Sequence, residues 1–251
     1  MSRALAELVR RSPALVALAA IHGALLAVFL CALQLDTVAL LGIPRWIKPA
    51  KFAISIAIYL VTIAWLLPAT EISERARRWL VAVIGGTMTL EMAAIALQAA
   101  RGTTSHFNIA SPLDGAIFQL MGIAIVLNTL AAAWLCVGAF RALRMEQTGY
   151  QVGVAMGLAV FLVGSAIGGV IVANNAHTVG APDGGPGLPF VNWSTVAGDL
   201  RIAHFVGMHA LQGLPLIGLL FGRRAVYAVA LLWAVVTLAL AAQAMMGRPF
   251  R

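Results

Sequence analysis

Runs of about 20 consecutive apolar residues recur along almost the whole chain, separated by short polar segments. A helix of that length spans the roughly 30 Å hydrocarbon core of a bilayer. Lipid offers no hydrogen-bond partner to an open backbone, so these runs are expected to be helical. The chain has 61% apolar and 10% charged residues, whereas soluble domains carry about 25% charged residues. We therefore predict an all-α integral membrane protein.

The apolar runs predict a bundle of about seven transmembrane helices, all within a single domain covering 1–251. The predicted spans lie near 14–34, 50–67, 79–100, 115–140, 152–173, 202–222 and 225–246. Arg223 and Arg224 separate the last two spans and predict a turn between them.

The basic residues between the spans predict an inside N-terminus and an outside C-terminus, because cytoplasmic loops carry an excess of Lys and Arg. On this topology the cytoplasmic residues are Arg3, Arg10, Arg11, Arg75, Arg77, Arg78, Arg141, Arg144, Arg223 and Arg224. The others are Arg45, Lys48, Lys51, Arg101, Arg201, Arg248 and Arg251, several of which we assign to a site. The expected location is the plasma (inner) membrane of a bacterium.

The net charge of +8 does not predict nucleic-acid binding, because the basic residues stand singly or in small groups at the ends of apolar runs. Membrane lipid is the expected partner, and the oligomeric state is left open. Cys31 and Cys136 fall inside apolar runs and are expected to be buried hydrophobes. The apolar run after the basic segment 1–11 is too long for a signal-peptide core, so a retained first helix is predicted.

The longest connection, 174–201, is rich in glycine and proline and cannot continue a helix. It lies outside on the predicted topology. A loop of this length is expected to cover a binding site, with a flexible linker as the alternative. Its apolar residues, including Phe190 and Trp193, predict packing against the bundle.

The second predicted helix carries a polar stripe at spacings of three and four residues, formed by Lys48, Lys51, Ser55, Tyr59 and Thr62. Lys48 and Lys51 are the only lysines of the chain, which favours a substrate-binding role. The alternative is that both lysines extend their ammonium groups to the membrane interface.

The third predicted helix carries Thr87, Glu91, Gln98 and Arg101 on one face. Glu91 lies ten residues before Arg101, about 15 Å deeper along the helix. An isolated carboxylate at that depth is very costly, so Lys51 or Arg101 is expected to pair with it. A purely structural ion pair is the alternative.

Further polar residues recur at the outer ends of the later helices. They are His106, Asp114, Asn174, Asn175, His177, Asp199, Arg201, His204, His209 and Gln212. Asp114 is also suited to capping its helix. In the inner helix halves the notable polar residues are His22 and Asn128, and changes there are expected to affect activity little.

Two cofactors are considered, and neither is favoured. His106, His177 and His204 approach the outer boundary, where three imidazoles and a water suit catalytic zinc, but the signal is weak because the three come from separate segments. His22 and His209 are candidate haem ligands whose depths differ by about 7 Å.

Ionisable residues are costly inside a membrane, so we treat those of this chain as candidate functional residues. We predict a membrane-embedded enzyme with an outward-facing polar site that acts on an anionic or lipid-like small molecule. The predicted catalytic residues are Glu91, His204, Asp199 and Asp114. The predicted substrate-binding residues are Lys48, Lys51, Ser55, Tyr59, Gln98, Arg101, His106, Arg201 and Gln212. The alternatives are a transporter or channel using the same charged residues, a haem- or quinone-binding redox protein, and a sensor or assembly factor.

Overall fold

The computed structural model describes residues 3–145 and 147–250. Met1 and Arg251, the ends of the predicted domain, lie outside the described residues. The helices are α1 (Arg3–Arg11), α2 (Pro13–Leu35), α3 (Ile47–Leu66), α4 (Glu74–Ala100), α5 (Pro112–Ala142), α6 (Gly149–Ala173) and α7 (Leu200–Met245). A 3₁₀ turn, Leu67–Ala69, follows α3.

Six of these helices, α2 to α7, are long and apolar enough to cross a membrane. The predicted all-α, multi-pass membrane protein is confirmed. Each of the helices α2 to α7 begins before its apolar run, because polar residues at the membrane surface are also helical. The helix α4 begins at Glu74, and the Ser73 hydroxyl caps it by accepting a hydrogen bond from the Ala76 amide at 3.3 Å. The chain also forms α1 as a separate helix, which ends before Pro13.

The segment α7 reverses direction at Gly222, where φ is +77°, a conformation that favours glycine. The Trp233 indole Nε1 donates a hydrogen bond to the Val206 carbonyl at 2.8 Å. A Cβ on Gly207 would lie 3.1 Å from the Thr237 side chain. Residues so far apart on one straight helix cannot meet, since each residue adds about 1.5 Å. The segment is therefore a hairpin of two helical arms, as the Arg223 and Arg224 pair predicts.

Two short antiparallel pairs of strands lie in the connections between helices. Between α2 and α3, β1 (Ala39–Leu40) pairs with β2 (Ile43–Pro44). Between α6 and α7, β3 (Thr178–Val179) pairs with β4 (Gly198–Asp199) and closes the long connection at its base. The first arm of α7 begins directly after β4.

The described chain divides into two compact units, and a single domain stays a prediction. Unit 1 comprises residues up to Pro68 together with Ile72–Ala131, and unit 2 comprises Ala69–Glu71 with the residues from Ala132 onwards. In unit 1, α2 packs on α3 and on α4, where a Cβ added to Gly85 would lie 2.7 Å from the Leu18 side chain. The exposed Cys31 departs from the predicted burial, whereas Cys136 is buried as expected.

Unit 2 is built around a close contact between α6 and the first arm of α7. A Cβ on Gly153 would lie 2.5 Å from the Leu214 carbonyl oxygen, and one on Gly164 would lie 2.7 Å from Gly207. Such distances leave no room for a side chain, so the two backbones touch directly. The glycine spacing of α6 therefore serves helix packing, as small residues at fixed spacing do in membranes.

Candidate functional site

In unit 1, an ion pair joins Arg101 at the end of α4 to Asp114 at the start of α5. Arg101 Nη1 lies 2.6 Å from Asp114 Oδ1. The Gln98 amide donates to the same oxygen at 2.8 Å, and its carbonyl accepts from Arg101 at 2.5 Å. Gln98 is fully buried. The sequence analysis expected Lys51 or Arg101 to pair with Glu91. In the structure, Arg101 pairs with Asp114 instead.

Ser111 caps α5, and the Asp114 side chain binds the hydroxyl of this cap residue. The Ser111 hydroxyl accepts a hydrogen bond from the Asp114 amide at 3.2 Å and donates one to Asp114 Oδ2 at 2.6 Å. Both carboxylate oxygens of Asp114 therefore have partners within the protein. This arrangement suits an orienting carboxylate, because its lone pairs are already directed at Ser111, Gln98 and Arg101.

Lys48 lies beside His106 in the loop that joins α4 to α5. The distance from Lys48 Nζ to His106 Nδ1 is 3.1 Å, and the Ser105 hydroxyl lies at the same distance from this nitrogen. An ammonium group can only donate, so Nδ1 is the acceptor when Lys48 is charged. The ring centroids of Phe52, Phe107 and Phe118 lie 6.1, 6.2 and 6.1 Å from that of His106.

Glu91 is the most deeply placed carboxyl group of α4. It is 3% exposed, and its Oε1 is buried without a hydrogen-bond partner among the described residues. Lys48 acts electrostatically on it. A buried acceptor without a partner costs about 1 to 3 kcal/mol. Glu91 therefore has an oxygen that is available to a ligand or a proton.

Beyond Glu91, a buried polar cluster joins α3, α4 and α5. The Asn128 amide donates to the Tyr59 hydroxyl at 3.2 Å, and the Thr87 hydroxyl lies 3.5 Å from Asn128 Oδ1. Asn128 is 5% exposed and is a buried member of this cluster; that changes at Asn128 and His22 affect activity little stays a prediction. Tyr59 belongs to this cluster, whereas Ser55 on the same predicted stripe is exposed.

An ion pair that the sequence analysis did not identify lies between the end of α2 and the start of α3. Arg45 Nε donates to Asp36 Oδ2 at 2.6 Å, and the Trp46 indole donates to the same oxygen at 2.8 Å. Hydrogen bonds from the Val38 amide, Trp46 and Arg45 hold the pKa of Asp36 below its usual value. Arg45 also donates to the Ala100 carbonyl at 3.2 Å and so ties this connection to the end of α4.

In unit 2, Asp199 and Arg201 form a buried ion pair at the start of α7. Arg201 Nε and Nη2 lie 2.9 and 2.5 Å from Asp199 Oδ1 and Oδ2, and Asp199 is 2% exposed. Asp199 also caps α7 by accepting from the Arg201 amide at 3.0 Å. The Ser194 amide donates to Asp199 at 2.7 Å, and Arg201 donates to the Asn192 carbonyl. The pair therefore fastens the long connection to α7.

A second carboxylate closes the other end of that connection. Asp183 Oδ2 lies 2.5 Å from His177 Nδ1, and Asp183 also accepts from the Thr178 amide and hydroxyl at 3.0 and 2.8 Å. Burial acts to raise the pKa of Asp183, but the bonds and charge of His177 outweigh it, so the pKa lies below its usual value. These contacts indicate an ordered loop and disfavour a flexible linker.

The remaining histidines have separate environments. His204 Nδ1 lies 2.8 Å from the Gly164 carbonyl, and the His209 ring packs edge-on against Phe205 with centroids 4.2 Å apart. His22 is 1% exposed, with Nδ1 at 2.8 Å from the Leu18 carbonyl and Nε2 buried without a hydrogen-bond partner in the described part of the chain. Haem binding by His22 and His209 stays a prediction.

The predicted metal site of His106, His177 and His204 gains no support. Across residues 3–145 and 147–250, no three His, Cys, Asp or Glu side chains are grouped so as to hold a metal ion.

The predicted site residues therefore form two sets. Unit 1 brings together Lys48 with His106, Gln98 and Arg101 with Asp114, and Tyr59 with Asn128. Unit 2 brings together Asp199 and Arg201, and it contains His177, His204 and Gln212. Lys51 is half-buried one turn after Lys48.

Comparison of the chain with models of protein families, with curated proteins and with solved structures finds no match.

Proposed function

We propose that the protein is a membrane-embedded enzyme whose site in unit 1 acts on the anionic head of a lipid-like small molecule. The observation that carries this proposal is Glu91 Oε1, a carboxyl oxygen that is buried without a hydrogen-bond partner among the described residues. The positive charge of Lys48 acts on this carboxyl group. The other two acidic residues predicted to be catalytic, Asp114 and Asp199, already have both carboxylate oxygens in ion pairs and hydrogen bonds. Glu91 is the acid that remains available for proton transfer.

Each nearby group has a role in this proposal. Lys48 binds the anionic head, and His106 positions its ammonium group. Arg101, held by Asp114 and Gln98, adds positive charge at the outer entrance. Glu91 exchanges a proton with the substrate as a general acid or base. A substrate with an apolar tail suits this location, because the tail can remain in lipid while the head enters the bundle.

The test compares Glu91→Gln with Glu74→Gln, which makes the same change on the same helix. Glu74 is 70% exposed, so its change should leave activity and melting temperature unaltered. Glu91→Gln should abolish complementation of a deletion strain without lowering the melting temperature, because it replaces a buried carboxyl whose Oε1 has no hydrogen-bond partner among the described residues. Infrared titration of the carboxyl band should show a proton site that Glu91→Gln removes. A melting temperature that falls together with activity would make Glu91 a structural residue.

The second candidate is a transporter or channel, favoured by the cluster of Tyr59, Thr87 and Asn128. Asn128 lies 14 residues after Asp114, about 21 Å further along the helix and past the middle of a bilayer. The cluster extends the polar groups of unit 1 beyond Glu91 and can form part of a path for protons. Proton flux into liposomes that contain the protein, lost in Glu91→Gln and in Asn128→Leu, would favour this function over the enzyme.

We further propose seven membrane crossings in a bacterial plasma membrane, with the N-terminus inside and the C-terminus outside. The hairpin in α7 supports this count, because 46 residues correspond to about 69 Å of helix, twice the hydrocarbon thickness. A single cysteine at Arg224 should react with an impermeant reagent only from the inside, and one at Phe250 only from the outside. Labelling of both positions from the same side would contradict the seventh crossing.

A further inference from the structure

We propose that Arg75, Arg78 and Trp79 form a binding site for the phosphate head group of an anionic phospholipid, at the end of unit 1 opposite Lys48 and Arg101. These three residues line an open pocket of about 350 Å³ near the start of α4. Both arginines are exposed, and Trp79 is 65% exposed. No part of this pocket belongs to the proposed site around Glu91.

The two arginines are available to an anion from outside the protein. The acid next to them, Glu74, lies 3.9 Å from Arg77 instead. Neither Arg75 nor Arg78 forms an ion pair or a hydrogen bond with any of the described residues. Guanidinium groups bind phosphate oxygens through two parallel hydrogen bonds, so two of them beside one pocket suit a phosphodiester.

The pocket lies at the depth along α4 that is expected for a membrane surface. Gly85 of α4 packs against Leu18 of α2. Arg78 lies seven residues before Gly85 and Ser12 lies six residues before Leu18, so both are displaced by about 10 Å in the same direction. The pocket is therefore level with the junction of α1 and α2.

At that level, Arg11 stacks on Trp65, with 4.2 Å from its guanidinium carbon to the ring centroid. Tryptophan and arginine together are typical of the interface between hydrocarbon and head groups. The exposed Trp79 indole belongs to the same band and can lie against the glycerol region of a lipid. This second contact favours a phospholipid over free phosphate.

The intact protein is placed in micelles that contain equal amounts of phosphatidylglycerol and phosphatidylcholine. Native mass spectrometry then measures which lipid stays bound when the protein is released from the micelles. The wild type should retain phosphatidylglycerol preferentially. The double variant Arg75→Gln/Arg78→Gln should bind it about 30-fold more weakly, the effect expected from two basic side chains near an anionic head group. The matched control is Arg223→Gln/Arg224→Gln, which removes the same charge from two exposed arginines that do not line the pocket.

The outcomes separate the proposal from its alternatives. Retention that is lost in the Arg75 and Arg78 variant and kept in the control supports the site. Equal loss of phosphatidylglycerol from both variants would mean that net charge attracts the lipid, and would overturn the proposal. Loss from neither variant would mean that the pocket binds no lipid, and would also overturn it. Displacement of the lipid by an equal concentration of inorganic phosphate would show a site for the free ion and would also overturn it. Melting temperatures of both variants should equal that of the wild type, because all four arginines are exposed.

Discussion

Gly153→Leu should leave no folded protein, because the position has no space for a side chain. A Cβ at Gly153 would lie 2.5 Å from the Leu214 carbonyl oxygen and 2.7 Å from Pro215 Cα. These are backbone atoms, so no change of side-chain conformation can relieve the clash. Gly153→Ala already introduces this Cβ, and overpacking of this kind costs about 1 to 3 kcal/mol. Leucine adds three further carbon atoms and must separate α6 from α7.

The matched control is Gly169→Leu on the same helix. Apart from the neighbouring residues and backbone of its own helix, no atom of the described residues lies within 4 Å of a Cβ built on Gly169, and the residue is exposed. Its replacement should leave the melting temperature unchanged or raise it, because leucine forms helices better than glycine. The measurement is thermal unfolding in detergent, with the yield of monodisperse protein as a second readout. Wild-type stability of Gly153→Leu would mean that α6 and α7 do not touch along this line.

Asp199→Asn and Arg201→Met should each lower the free energy of unfolding by about 3 to 5 kcal/mol, and the double variant by much less than their sum. Either single change leaves a partly or fully buried charge without its counterpart, since the Asp199 side chain has no exposed surface and that of Arg201 is 23% exposed. The double variant removes both charges together. A double-mutant cycle on unfolding in detergent measures the difference.

The control cycle uses Glu74→Gln and Arg77→Gln, whose ion pair is 3.9 Å long, with the Glu74 side chain 70% and the Arg77 side chain 30% exposed. Exposed pairs contribute about 0 to 1 kcal/mol, so this cycle should show little coupling. Additive effects at Asp199 and Arg201 would contradict the pairing. Activity measured on the same variants adds a second readout, because an Asp199→Asn variant that is less stable but fully active would exclude Asp199 as a catalytic acid or base.

The positions of the transmembrane helices could be predicted from the sequence because they depend on one local property, the length of each apolar run. The same property, together with Arg223 and Arg224, predicted the turn in α7. The ends of the helices were less predictable, since α4 starts at a serine cap outside the apolar run and α1 is too short and too basic to register as a span. The periodic stripes also identified Lys48, Glu91 and Arg101 as polar groups of the candidate site.

Only the tertiary structure decided which of these polar groups meet. Arg101 and Glu91 share one face of α4, yet Arg101 pairs with Asp114 of α5, and Asn128 joins Tyr59 across two helices. The sequence determines the rotation of a residue about its own helix axis, but not the rotation and depth of one helix relative to its neighbours. Those depend on packing, such as the contact of Gly85 with Leu18 in unit 1 and of Gly153 with Leu214 in unit 2. A pair formed by residues from separate helices therefore appears only once the helices are packed.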